Sequence, residues 1–261
     1  MGATTEIAWC NSTFNPWWGC TRVDPACEHC YAETWARRTG HSVWGPTAPR
    51  RTFGAKHWAE PFTWDSRAKK DSVRRRVFCA SMADIFDKDA PPGELDRLWL
   101  VIRMTPNLDW LLLTKRADRI RDSLPADWGS GYRNVWMGVT IGEPGGLWRL
   151  DELIKIPAVI RFVSVEPLLA PLLLTRYGPR SHVAVQILRE GLDWVIVGGE
   201  SGAGCRPMDL DWARTLRNEA RVIGAAYFMK QIGGFPNKRD RLSDFPEDLR
   251  IREFPVPRRM A

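Results

Sequence analysis

Trp194-Val195-Ile196-Val197-Gly198-Gly199-Glu200-Ser201-Gly202 is an apolar run that stops abruptly on glycine, carboxylate and hydroxyl. Apolar residues at both parities suit a strand covered on both faces, as in a parallel sheet wrapped by helices. Just downstream, residues 211–223 place Trp212, Leu216, Ala220 and Ile223 on one helical face. An acidic start at Asp209 or Asp211 and the terminator Gly224 bracket that helix. A second apolar run, 226–229, follows and ends in Lys230-Gln231. Strand, helix and strand in this order read as one step of an α/β repeat.

Working outward, the same alternation recurs. Further strands are expected at 7–10 (extending toward Asn15), 77–82, 110–114, 135–140 and 160–165. Helices are expected at 31–38, ended by Gly40, at 94–104, with Leu95, Leu98 and Ile102 on one face, and at 147–155, stopped before Pro157. The expected fold class is therefore α/β, a partial (β/α) TIM-type barrel of six or seven parallel strands in one domain spanning 1–261. Residues 41–66, rich in Pro, Gly and Trp, are expected to be loops or local additions with no separate domain. So are 168–190, where a basic Gly178-Pro179 segment follows an apolar run, and the Pro- and Arg-rich extension from about 235.

The composition is that of a globular protein, with 44% hydrophobic and 26% charged residues in a chain of 261. No apolar run approaches the roughly 18 residues that span a bilayer, and the N-terminus lacks the basic and apolar regions of a signal peptide. A cytoplasmic protein with no membrane partner is expected. A net charge of +7 favours a polyanionic partner such as nucleic acid. The densest basic run, Lys69 to Arg76, reads either as a solvated helix end or as a phosphate-contacting patch.

Polar residues close nearly every strand. Ser81 and Asp84 follow the second strand, Thr114-Lys115-Arg116 the third, Thr140 the fourth, Ser164 and Glu166 the fifth, Gly198-Gly199-Glu200 the sixth and Lys230 the seventh. Barrel enzymes carry their chemistry at the C-terminal ends of strands, so these residues are expected to line a binding cavity.

Of six cysteines, Cys20, Cys27 and Cys30 crowd into one loop after the first strand, spaced C-x6-C-x2-C. Three converging thiolates suit an iron–sulfur cluster with one iron left open. A structural zinc would take four ligands, for which His29 or Cys10 is a candidate fourth. Cys10, Cys79 and Cys205 are scattered, and burial is the ordinary fate of such thiols.

The three-cysteine loop after a first barrel strand resembles the radical S-adenosylmethionine (SAM) superfamily. The usual spacing there is C-x3-C-x2-C, so the six-residue first gap is a departure. Asn15-Pro16-Trp17-Trp18-Gly19-Cys20, Cys27-Glu28-His29-Cys30-Tyr31-Ala32-Glu33, Leu113-Thr114-Lys115-Arg116, Ser164-Val165-Glu166-Pro167, Gly198-Gly199-Glu200-Ser201-Gly202 and Lys230-Gln231 more closely resemble an uncharacterised, phage-associated three-cysteine family. That likeness runs from about residue 5 to about 235. A more distant likeness is to spore photoproduct lyase, a radical SAM DNA-repair enzyme with serine and aspartate after strand two and Thr-Lys after strand three.

The resemblance implies a [4Fe-4S] cluster on Cys20, Cys27 and Cys30. It also implies an external one-electron reductant and cleavage of SAM to a 5′-deoxyadenosyl radical that abstracts hydrogen from a substrate, with nucleic acid or a nucleotide as the candidate. It further implies Ser81 and Asp84 on the SAM ammonium, and Lys115 or Arg116 on its carboxylate. Thr140 or Glu166 would take the ribose, His29 would lie near adenine, and Gly198, Gly199 and Glu200 would line the cofactor site. Cys205 and Cys79 are candidate hydrogen-atom donors. Two readings compete: a barrel glycoside hydrolase using Glu166 and Glu200, and a zinc-stabilised nucleic-acid-binding protein.

Overall fold

The computed structural model describes residues 4–176 and 181–257. Seven strands form one sheet in the order of the chain, β1 (Ser12–Thr13), β2 (Arg75–Cys79), β3 (Leu108–Thr114), β4 (Val135–Thr140), β5 (Ile160–Val165), β6 (Trp194–Gly198) and β7 (Ala226–Gln231). The registers of β1 with β2, β2 with β3, β5 with β6 and β6 with β7 are all parallel. Helices intervene as α1 (Tyr31–Arg38), α2 (Ala55–Asp71), α3 (Glu94–Met104), α4 (Trp148–Ile154), α5 (Ser181–Gly191) and α6 (Leu210–Ile223). Sequential parallel order with interleaved helices makes this an α/β protein with the topology of a partial TIM-type barrel. Between β3 and β4 the crossover carries only short 3-10 turns. No helix among the described residues is long and apolar enough to cross a membrane.

Contacts divide the chain into two compact units. The first comprises Met1–Val23, Ala32–Met137 and Pro157–Val159; the second comprises Asp24–Tyr31, Gly138–Ile156 and Ile160–Ala261.

The first unit is built around Phe14. His57 stacks on its ring at 4.6 Å, and Trp58, Trp64 and Trp110 meet it edge-on at 5.2, 6.4 and 5.7 Å. Three of these four partners lie on α2, in the stretch expected to be loop or a local addition. Proline and glycine hid a helix whose Trp58, Pro61, Trp64 and Ala68 form its buried stripe. Lys69 and Lys70 of the basic run close its last turn, and Arg75 and Arg76 open β2. The first strand also sits further along than 7–10. Only Ser12–Thr13 pairs with β2, at Val77 and Phe78, because that pairing buries Phe14.

In the second unit, β6 is buried along its length and Trp194 packs against Phe162 and Phe228 at 5.8 Å each. α6 starts on the Asp209 carboxylate, which accepts from the Asp211 amide, and stops at Gly224 in the left-handed conformation, φ 73°. In the stretch from 168, expected to be loop or a local addition, the structure places α5; residues 177–180, with Gly178-Pro179, lie outside the described residues. The C-terminal extension returns to the sheet. The Met229 amide donates to the Ile251 carbonyl at 2.8 Å and the Glu253 amide to the Tyr227 carbonyl at 2.9 Å, so this segment runs antiparallel along β7. Residues 258–261 lie outside the described part.

Candidate functional site

In the first unit, Cys20 is fixed from the exits of β2 and β3. The Gly19 amide donates to the Met82 carbonyl at 3.0 Å, and Gly19 bridges Ala83. Gly19 has φ +119°, and a Cβ there would stand 2.4 Å from the Val43 carbonyl oxygen, so the approach admits only glycine. Asn15, fully buried, reinforces the same junction: its Nδ2 donates to Ser81 Oγ at 3.0 Å and its Oδ1 accepts from the Met82 amide.

Arg116 is the centre of this region. Its Nη1 donates to Cys20 Sγ at 3.4 Å and its Nη2 to the Thr21 carbonyl at 2.8 Å. The same guanidinium pairs with Asp84 at 3.0 Å and Asp87 at 3.4 Å. Asp87 in turn holds Arg50 at 2.7 Å, and Arg50 also donates to Thr21 Oγ1 and to the Val43, Gly45 and Ala48 carbonyls. The result is a buried chain of alternating charge, Asp84, Arg116, Asp87 and Arg50, wrapped by the loop that carries Cys20. Asp84 is saturated: it accepts from Thr114 Oγ1, the Phe86 amide, the Lys115 amide and Arg116. Burial, followed by the Asp84 carboxylate, pushes the Cys20 thiol up to about 12 against the pull of Arg116. Cys79 is fully buried in β2, and burial pushes its thiol up as well.

In the second unit, the loop 24–31 is held from the exits of β4 and β6. The Cys27 thiol donates to Asp24 Oδ1 at 3.4 Å; Asp24 pairs with Arg149 at 2.8 Å, and Arg149 reaches the Thr140 carbonyl at 3.0 Å. Glu200, at the end of β6, accepts from His29 Nδ1 at 2.9 Å and from Arg206 through its amide, Nε and Nη2. Arg206 also reaches the Pro25 carbonyl and Glu28, both at 3.1 Å. Burial works against the Glu200 charge, but hydrogen bonds from Arg206 and His29 outweigh it and hold the carboxyl at about 2. Glu166 accepts from Ser164 Oγ at 3.2 Å and pairs with Lys230 at 2.7 Å. Gly198 leaves room for that carboxylate, since a Cβ would lie 2.5 Å from Glu166 Oε1. The Gly199 carbonyl accepts from Gln231 at 2.7 Å, and Cys205 sits half-buried after the glycine turn.

Within the first unit the structure therefore gathers Cys20, Ser81, Asp84, Lys115 and Arg116. Within the second it gathers Cys27, His29 and Glu200, and separately Glu166 with Gly198. None of Cys20, Cys27 and Cys30 is in a disulfide, all three are partly exposed, and in type they fit a thiolate-bound metal group. Among the described residues, no three His, Cys, Asp or Glu side chains stand in ligating geometry. Arg50, Asp87, Arg149 and Arg206 were not singled out from the sequence as site residues. Lys230 was expected to line a binding cavity as the polar end of its strand, without a specific role.

A family model described as "Protein of unknown function" (DUF5131) matches residues 4–252. No curated protein matches the chain. Among solved structures, the chain is similar to a spore photoproduct lyase double mutant with bound AdoMet and dinucleoside spore photoproduct, at 14% identity over 80% of this chain and 60% of that one, with a TM-score of 0.45. It is also similar to a cysteine-to-serine mutant of spore photoproduct lyase, at 14% identity over 85% and 65%, TM-score 0.43. The lyase complexed with dinucleoside spore photoproduct matches at 13% identity over 82% and 60%, TM-score 0.37. The chain thus spans 60% to 65% of the length of these three structures.

Proposed function

The chain belongs to that family of unknown function, and from this premise we propose that it is a radical SAM enzyme. In this reading Cys20, Cys27 and Cys30 hold a [4Fe-4S] cluster, and the substrate is a nucleic acid or nucleotide. One observation carries the reading: the cysteine loop is tied down, residue by residue, at the C-terminal ends of parallel strands. Gly19 bridges the exit of β2, Arg116 joins Cys20 to the exit of β3, and Arg149 joins Asp24, beside Cys27, to the exit of β4. Strand exits are where barrel enzymes place their chemistry.

When bound, such a cluster with SAM supplies one-electron reduction and hydrogen-atom abstraction, driven by an external reductant. The protein's own groups bind and orient. Ser81 and Lys115 take the ammonium and carboxylate ends of SAM, while Asp84 and Arg116 position the loop. Thr140 takes the ribose, and the His29 ring with the Gly198 and Gly199 backbone takes adenine. Glu200, engaged with His29 and Arg206, fixes that ring. Cys205 is the donor candidate, because Cys79 is sealed in the sheet.

Against the hydrolase reading stands the direction of the Glu200 shift: burial would raise its carboxyl, but hydrogen bonds from Arg206 and His29 hold it at about 2, whereas a general acid needs a raised value. A structural zinc would need a fourth ligand beside the three cysteines, and metal analysis of the purified protein separates the two readings.

Anaerobic purification tests the proposal. We expect a brown protein with about four iron and four sulfide per chain, bleached by dithionite, and colourless as Cys27→Ala. Incubation with SAM and dithionite should yield 5′-deoxyadenosine. Zinc, or no metal, in anaerobically prepared protein overturns the reading.

A further inference from the structure

Cys20 and Cys27 meet opposite charges. Cys20 Sγ accepts from Arg116 Nη1 at 3.4 Å, so a cation touches this sulfur. Cys27 meets a carboxylate instead, Asp24 Oδ1 at 3.4 Å. The charges around Cys20 are also poorly hydrated. The Arg116 side chain is 7% exposed, and those of its ion-pair partners Asp84 and Asp87 are 8% and 0% exposed. With so little water to screen them, these groups act on the sulfur more strongly than surface charges would.

The two signs oppose each other at one atom. Negative charge on the Cys20 sulfur is favoured by the Arg116 guanidinium and opposed by the Asp84 carboxylate, and less so by that of Asp87. Neither group is at liberty to turn away. Arg116 Nη2 is tied to the Thr21 carbonyl at 2.8 Å, and Nη1 is shared between the sulfur and Asp84 Oδ2 at 3.0 Å. Asp84 is held by Thr114 Oγ1 at 2.7 Å and by the Phe86 and Lys115 amides at 3.0 Å each. A brace for the loop would need only the bond to Thr21. The other arm of the guanidinium is aimed at the sulfur.

An electron added to a thiolate-bound cluster puts negative charge beside its sulfurs, and local charge and hydrogen bonds to sulfur set how readily it is accepted. We propose that Arg116 and Asp84 are an opposed pair that sets the reduction potential of the cluster, Arg116 easing reduction and Asp84 resisting it, both through the Cys20 sulfur. The step they act on is transfer of one electron from the external reductant, which is oxidised, to the cluster, which is reduced; no bond forms or breaks. The inference rests on the [4Fe-4S] reading above and adds which residues tune that group.

The test is a redox titration of the anaerobically purified, cluster-bearing protein without SAM, followed by visible absorption and electron paramagnetic resonance. Arg116→Gln should lower the ratio of reduced to oxidised cluster at a fixed potential about 10-fold, a shift of about 59 mV for one electron. Arg116→Lys keeps the charge but not the planar fork, and should fall between Arg116→Gln and wild type. Asp84→Asn should raise the ratio. Opposite directions are the signature, because a loosened loop would move both variants the same way. Arg103→Gln removes an exposed arginine at the other end of β3, where it pairs with Asp127, and should leave the ratio unchanged. Iron content and circular dichroism identify variants that fail to fold. If Arg116→Gln is one of them, the order of Arg116→Lys, wild type and Asp84→Asn decides. Unshifted ratios, shifts of the same sign in the Arg116 and Asp84 variants, or loss of the cluster from Arg116→Lys and Asp84→Asn alike overturn the proposal, while a brown wild type leaves the enzyme reading standing. A colourless wild type overturns both.

Discussion

The Cys20 loop and the Glu28–His29 turn are held by the same kind of connection in two different dielectric settings. Around Cys20, Arg116 and Arg50 are almost wholly buried and alternate with Asp84 and Asp87, which are buried too. Around the Glu28–His29 turn, Arg206 is 28% exposed, and one of its two acidic partners, Glu28, is 60% exposed, although Cys27 itself is tied through Asp24 to the buried Arg149. A buried alternating chain has no water to fall back on, so removing one member leaves its neighbour charged and unsolvated. A half-exposed arginine is replaced by solvent at little cost. The first anchor should therefore be rigid and all-or-none, and the second adjustable.

The sharpest way to break that contrast is Arg50→Met, which leaves buried Asp87 with only Arg116 as an ion-pair partner and takes the Arg50 donor from three backbone carbonyls. We expect it to lower unfolding free energy by about 3–5 kcal/mol in urea titrations. A loss near that expected for an exposed pair would show that the two anchors do not differ. Next is Gly19→Ala, which forces a Cβ against the Val43 carbonyl at a backbone angle suited to glycine. A loss of about 1–3 kcal/mol is expected, read by the same titration. The smallest effect belongs to the second anchor. Arg206→Ala should cost about 1 kcal/mol at neutral pH.

That variant should also change the pH profile. The Glu200 carboxyl is depressed from 4.5 to about 2 in the folded protein, so its contribution is present above the unfolded value and is lost as pH falls through the folded one. Between pH 4.5 and about 2, wild-type stability should fall more steeply than that of Arg206→Ala. Parallel curves would remove Arg206 as the cause.

What could be read in the sequence follows the same physics. β4, β5 and β6 lie at 135–140, 160–165 and 194–198, where the apolar runs predict them, because strands buried on both faces leave no ambiguity of register. α2 escaped notice because Pro61 and Gly54 read as punctuation, although Trp58, Trp64 and Ala68 already marked a helical stripe. β1 falls only in the extension toward Asn15 of the strand expected at 7–10, because its two polar residues become a strand through pairing with β2. The cysteine loop was visible from spacing alone. Its anchoring was not: Arg116 lies 96 residues from Cys20, and Arg206 lies 181 from Pro25. Arg116 was marked by its place at a strand end and, like Asp84, assigned to a cofactor by its charge; the structure pairs the two with each other. Nothing local distinguishes Arg206.

The segment 251–253 lying against β7 bears on how this protein can be handled. Its main-chain bonds occupy donors and acceptors along the outer side of the last strand that would otherwise invite a strand from a second molecule. A shortened version ending before Ile251 should clump on concentration. An affinity tag joined beyond residue 257 leaves this guard strip in place.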